Sequence, residues 1–249
     1  MVDVSLCKSH HEITSMISSE LRDANERCWV FGNFITSVDG GFEINGASGG
    51  LGTPADRIAF STLRAQSDVI LVGAETVRVE KYRRPLAPTG ELAELRIRRG
   101  QLPCPRLAIV TSDPESMPHD TLAAHPERDP HPPLLYVSQR PGAGAVESED
   151  ARRYKLATQL SGRWSFEAIL DDLHERGMKR VLCEGGPSIL GALLSAGLLD
   201  ELNLTISPVI LGAQSGPPFG QHATPLPLSL DRVLVHGSTM LSRYLMDTR

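Results

Sequence analysis

Four short runs in this sequence are apolar almost throughout and close on a polar residue or a glycine. They are Asp68-Val69-Ile70-Leu71-Val72-Gly73, Arg106-Leu107-Ala108-Ile109-Val110-Thr111, Leu134 to Ser138, and Val181 to Glu184. A strand with one wet face alternates apolar and polar residues, so runs that do not alternate fit strands covered on both faces, the condition of a parallel sheet. Helix signatures fall between these runs. Thr53-Pro54-Ala55-Asp56 has a cap followed by proline, and Ile58, Phe60, Leu63 and Ala65 give an apolar side to a helix running to about Gln66. Trp164, Phe166, Ile169, Leu170 and Leu173 recur at helical spacing about the cap residue Ser165, and Gly177 supplies the stop. Strand alternating with helix predicts an α/β fold with a mainly parallel central sheet flanked by helices.

Two regions depart from that rhythm. Cys28 to Thr36 is rich in aromatic and β-branched residues and ends at Asp39-Gly40-Gly41, which reads as a buried strand entering a turn. After a helix starting near Pro187, the runs Leu202 to Ile206, Val233 to Val235 and Tyr244 to Met246 have no helical segment between them. Such strands are most simply joined antiparallel at a sheet edge, and Leu202 to Ile206 there is a candidate for pairing across subunits. Residues 1–26 read as a helical N-terminal extension, and the whole chain as one domain. The proline- and charge-rich stretches Arg83 to Pro105 and Asp113 to Pro133 read as surface loops.

Composition narrows the function. The 249 residues are 41% hydrophobic, enough for a substantial core, and carry a formal net charge of −5 without a cationic cluster. That argues against nucleic-acid binding, which needs a face of Lys and Arg to neutralise phosphates. No apolar run reaches the roughly 18 to 20 residues needed to span a bilayer, and Asp3, Lys8 and Glu12 interrupt any signal-peptide core, so a cytoplasmic location is expected. Cys7, Cys28, Cys104 and Cys183 lie far apart, as reduced thiols do, and no metal site is expected. A zinc deaminase signature and a Gly-x-Ser-x-Gly elbow are both missing from the sequence.

The segment Val181-Leu182-Cys183-Glu184-Gly185-Gly186-Pro187-Ser188-Ile189-Leu190 places two glycines between a strand and a helix start. It is either a tight turn or a cradle for an anionic phosphate, because glycines admit close backbone approach and a helix N-terminus favours negative charge. Glu184 falls at a strand's carboxyl end, where α/β proteins collect polar ligands. Val72-Gly73-Ala74-Glu75-Thr76-Val77 repeats the arrangement, with Thr76 as a local cap or a phosphate donor. Neither a Gly-x-Gly-x-x-Gly nor a P-loop sequence occurs. Ser37 to Gly41 and the glycine-rich Asn45 to Gly52 form a surface loop or a loop wrapping a flat ligand, and Arg64 is a solvated charge or a phosphate partner.

Three motifs taken together resemble a known family: Asn33-Phe34-Ile35-Thr36-Ser37-Val38-Asp39-Gly40, Leu63-Arg64-Ala65-Gln66-Ser67-Asp68 leading to Gly73-Ala74-Glu75-Thr76-Val77, and Glu184 to Leu190. They are similar to the pyrimidine reductase domain of riboflavin biosynthesis, the C-terminal part of the bifunctional deaminase-reductase, here without a preceding deaminase. The resemblance runs from about Trp29 to the C-terminus. It implies a dihydrofolate-reductase-like fold, a homodimer, and reduction of 5-amino-6-(5-phosphoribosylamino)uracil by NADPH, with hydride reaching an imine carbon of the opened ribosyl group. It further implies that Thr36, Gly50, Thr76, Glu80, Ser112 and the stretch from Gly185 through Gly186, Pro187, Ser188, Ile189 and Leu190 to Ala192 hold NADPH. Ser48, Arg64 and Glu184 fall on the substrate side. In this reading Asp39 or Glu184 is the candidate to orient the heterocycle through its N–H groups and to relay the proton, with solvent an equally open source of it.

The chain also departs from the family pattern. Asn33 stands where Lys is common, and Glu80-Lys81-Tyr82 replaces Asp-Asp-Pro, so the arginine expected to hold the ribose phosphate has only Arg83 or Arg84 as counterparts. Two other readings share the features: a pterin reductase of the same fold, and a catalytically silent nucleotide-binding protein.

Overall fold

The computed structural model describes residues 3–20, 22, 26–113, 116–117, 133–137, 165–212, 218–219 and 225–247. Its strands are β1 (Asp3–Leu6), β2 (Trp29–Ser37), β3 (Val69–Gly73), β4 (Arg106–Thr111), β5 (Leu134–Val137), β6 (Arg180–Gly185), β7 (Glu201–Ser207), β8 (Leu228–His236) and β9 (Thr239–Met246). They join in one sheet of order β1-β8-β9-β7-β2-β6-β3-β4-β5. All pairings among the described strands are parallel except those of β9 with β7 and β8. The mixed α/β sheet read from the sequence is therefore present.

Both faces of the sheet are covered, which is why its central strands do not alternate. Val69, Leu71, Val181 and Cys183 pack on one side against α5 (Phe166–Glu175) and α6 (Pro187–Ser195). Ile70, Val72, Ile109 and Leu182 pack on the other against α1 (His10–Ser18), α2 (Pro54–Gln66) and α3 (Ala74–Val79). Neighbouring residues of one strand thus enter different cores, and each must be apolar. Helix starts follow local chemistry. Ser9, Thr53 and Ser165 cap α1, α2 and α5 by accepting a backbone N–H three residues on, and Pro54 and Pro187 occupy first-turn positions where the missing N–H is no loss. Trp164, Ser138 and most of Asp113 to Pro133 lie outside the described residues.

Three expectations are corrected. Leu202 to Ile206 is not at an edge: β7 runs parallel to β2 on one side and antiparallel to β9 on the other, so its backbone is paired on both flanks. The edge beyond β8 is taken by β1, so the N-terminal extension contributes a strand as well as the helix α1. Arg83 to Pro105 is not all loop, because α4 (Glu91–Arg98) forms within it. Gly90 turns the chain after Pro85 and Pro88, and Leu95 and Arg96 are then buried against the end of α2.

The Arg96 side chain is 1% exposed and serves as a cap for another helix. Its Nη1 donates to the carbonyls of Ala65 at 3.0 Å and Ser67 at 2.7 Å, and its Nε to Leu102 at 2.7 Å. Carbonyls at the end of α2 that lack helical partners are satisfied in this way. Joined to the end of α2 through Gln66, Arg22, Glu201 and Arg243 form a buried ionic network. Arg22 Nε donates to Glu201 Oε2 at 3.0 Å and Arg243 Nη2 to the same oxygen at 3.0 Å. Burial alone would raise the Glu201 carboxyl, but Arg22 and Arg243 outweigh it and hold the group down at about 2.

Candidate active site

A cleft of about 840 Å³ opens where β2, β3 and β6 end, the place where ligands gather in α/β sheets. Ser48, Arg64, Thr76, Glu80, Glu184 and Gly186 all line it, although they are spread over 139 positions of sequence. The glycine-rich turn, α2, α3, the segment after α3 and the β6–α6 junction each supply a wall.

The substrate-side residues form a connected group. Arg64, in the last turn of α2, donates from Nε to Glu184 Oε1 at 2.7 Å and from Nη2 to Oε2 at 2.6 Å, a fork-to-carboxylate pair. The Glu184 side chain is 3% exposed and that of Arg64 24%. Tyr82 closes the group: its hydroxyl accepts from Arg64 Nη2 at 2.6 Å and donates to Glu184 Oε2. The guanidinium also lies 4.0 Å over the Phe60 ring, a favourable cation–π contact. Burial works against the Arg64 charge, but the Glu184 carboxylate, with a further contribution from Tyr82, raises its pKa above the ordinary arginine value. Burial, reinforced by the adjacent carboxylate, pushes the Tyr82 phenol well up, so it stays a neutral donor. Of the readings open for Arg64, the solvated one is excluded.

The opposite wall is built for a close backbone approach. Gly185 has φ +108, which a side chain would strain, and the Gly185–Gly186 peptide is cis. A Cβ on Gly186 would lie 2.8 Å from the Thr76 hydroxyl, so the two glycine-bearing turns found in the sequence meet here. Thr76 caps nothing: Gly73 is the N-cap of α3 and Gly186 that of α6, and neither cap makes a side-chain bond. The uncapped start of α6 beside a hydroxyl is suited to an anion.

Other predicted residues are placed differently. Ser48 donates from its backbone N–H at 2.8 Å and its hydroxyl at 2.9 Å to Glu80 Oε1, so a presumed substrate residue and a presumed cofactor residue bind each other. Ile189 and Leu190 are core residues, Thr36 is buried, and Gly50 packs on Ile44. Ser112 is exposed beyond β4, and neither it nor Gly50, Ser188 or Thr36 lines the cleft. Asp39 is outside it as well. Its carboxylate accepts from the Ser37 hydroxyl at 2.6 Å and from the N–H groups of Leu211 at 3.1 Å and Gly212 at 2.7 Å, and these bonds, that of Ser37 foremost, lower it to about 2. It ties two loops together. Asn33, Arg83 and Arg84 do line the cleft.

Sequence reasoning missed Tyr82, seen only as a departure from a pattern, and Asp56, seen only as part of a helix start. An acid at the third position of α2 is ordinary helix chemistry, so only the cleft reveals that Asp56 lines it.

The fold and cleft define an α/β protein that brings an anion-accepting glycine turn against a buried arginine–carboxylate pair. The chain belongs to the RibD C-terminal domain family, whose model matches residues 28–242. It is 29% identical to a 2,5-diamino-6-ribosylamino-4(3H)-pyrimidinone 5′-phosphate reductase from Archaeoglobus fulgidus, over 77% of this chain and 85% of the relative. A protein of the same name from Methanothermobacter thermautotrophicus is 25% identical over 88% of this chain and 98% of its own. Among solved structures, a pyrimidine reductase-like protein from Corynebacterium diphtheriae superposes with a TM-score of 0.75 at 25% identity, covering 95% of this chain and 99% of that one.

Proposed function

We propose that this chain is a reductase of riboflavin biosynthesis that reduces a ribosylaminopyrimidine 5′-phosphate to its ribitylamino product with NADPH. The observation that carries the reading is the buried Arg64–Glu184–Tyr82 group facing the Thr76–Gly186 junction across one cleft. The names of the archaeal relatives favour the 2,5-diaminopyrimidinone over 5-amino-6-(5-phosphoribosylamino)uracil as substrate.

The residues present fit a dinucleotide: a Cβ at Gly186 would fill the approach to Thr76, and α6 opens without a side-chain cap. Gly186, the start of α6 and Thr76 would hold its pyrophosphate, with the buried Gly185 shaping the turn behind them. When bound, reduced nicotinamide supplies hydride. The protein's part is orientation, because hydride transfer depends on holding two carbons near contact. Glu184 has about four acceptor directions; Arg64 and Tyr82 take three of them, leaving one for a heterocycle N–H. That arrangement makes Glu184 an orienting acceptor and Arg64 its fixed cation. As the family resemblance implies, the working unit in this reading is a cytoplasmic homodimer, without strand pairing through β7, whose two flanks are taken by β2 and β9.

The test follows NADPH absorbance with purified protein and, in turn, the diaminopyrimidinone, the uracil and dihydrofolate. Turnover with the diaminopyrimidinone supports the reading. Turnover with dihydrofolate alone makes the chain a pterin reductase, and NADPH binding without any oxidation makes it a silent relative. Light scattering on the same sample reports the dimer.

A further inference from the structure

Five carboxylates line the cleft: Glu184 is held by Arg64 and Tyr82, Glu80 by Ser48 and Glu75 by Arg78, Glu43 stands on the loop between β2 and α2, and the fifth is Asp56. Asp56 is held differently. It is half-buried in the first turn of α2, and one of its oxygens accepts from the Thr205 hydroxyl of β7 at 2.7 Å. Among the described residues its other oxygen has no hydrogen-bond partner. Its surroundings are nearly neutral. From β7 it meets an uncharged hydroxyl, from the turn before α2 it is near Gly52, and the one charge acting on it is Arg57, exposed and bonded back to the Gly52 carbonyl at 3.4 Å.

We propose that Asp56 is the proton donor of the reduction, its carboxyl aimed into the cleft by Thr205. The inference rests on the reductase reading above. The substrate's imine carbon gains the hydride with its two electrons as one reduced nicotinamide is oxidised. The C=N π pair passes to nitrogen, and nitrogen takes its proton from the Asp56 carboxyl. The carboxylate left behind is reprotonated from solvent. Burial favours the protonated, donor form of Asp56, raising it above the ordinary value of 3.8 against the opposing bond from Thr205 and the charge of Arg57.

The two variants Asp56→Asn and Thr205→Val separate a donor from a helix-start residue. Asn keeps an oxygen for Thr205 and removes a charge that burial disfavours, so Asp56→Asn melts no lower than wild type. Its kcat with the diaminopyrimidinone falls about 100-fold or more. In wild type kcat/KM declines as pH rises through the Asp56 pKa. Thr205→Val removes the bond that favours the ionised form, so that decline moves to higher pH. Carbon-13 NMR of aspartate-labelled protein gives a readout independent of turnover: one carboxyl titrating above the ordinary range, lost in Asp56→Asn and moved upward in Thr205→Val. If wild type turns over while Asp56→Asn keeps the wild-type kcat, or Thr205→Val leaves both profile and titration in place, the assignment falls and the reductase reading stands. If wild type turns over none of the pyrimidines, the reading falls and takes the assignment with it.

Discussion

Glu184→Gln puts the central pair of the cleft to the test. The substitution keeps the shape but replaces a carboxylate oxygen by an NH2 group that faces either Arg64 Nε, or Arg64 Nη2 together with the Tyr82 hydroxyl. Removing one partner of a buried ion pair costs about 3 to 5 kcal/mol because the other charge stays behind without compensation. Gln retains one acceptor for Arg64, and the Arg64 side chain is 24% exposed, so the lower end applies, about 3 kcal/mol. For a chain of this length each kcal/mol shifts Tm by about 2 to 4 °C, so the expected drop is about 6 to 12 °C. Calorimetry on Glu184→Gln, Arg64→Met and the double variant measures it, with the double variant recovering about 2 kcal/mol relative to the sum of the singles. Turnover falls as well, since the acceptor facing the heterocycle is altered. A Tm within about 2 °C of wild type, or singles that simply add, would refute the reasoning that this pair is buried and coupled.

Gly186→Ala sets a methyl 2.8 Å from the Thr76 hydroxyl, so NADPH affinity measured by fluorescence titration drops, and the Gly186→Ala/Thr76→Ala double variant regains part of it. Arg96→Met leaves the carbonyls of Ala65, Ser67 and Leu102 without their donor and costs about 2 to 4 kcal/mol by urea unfolding, with KM raised because the same turn carries Arg64. Glu201 has a depressed pKa, so its contribution to stability is complete above its ordinary value of 4.5 and is lost as pH falls from there towards about 2. In Glu201→Gln that part of the acid limb of stability against pH flattens, whereas a limb parallel to wild type would exclude the assignment.

The sheet was legible because its central strands are buried on both faces, so that Val69 to Val72 and Val181 to Cys183 carry no alternation to misread. The meeting of Gly186 with Thr76 was legible for a different reason: each turn carries its own glycine, and both strands end on the same side of the sheet. α4 was not. Its neighbouring prolines and charges dominate the local composition, while its burial depends on the end of a helix more than 20 positions earlier. Arg64 looks like any solvated helix arginine until Glu184, 120 positions away, is brought beside it. Asp39 misled for the converse reason: an acid in a turn beside a buried strand suits chemistry and loop fastening equally well, and here it fastens Leu211 and Gly212.

The family match begins at residue 28, yet β1, α1 and Arg22 all precede it. They supply the outermost strand of the sheet and one of the cations around Glu201. An expression clone trimmed to the family boundary would therefore strip β8 of its neighbour, present a bare strand edge to other molecules, and leave a buried acid short of countercharge. The unit that inheritance marks out is smaller than the unit that can be cut free and kept in solution.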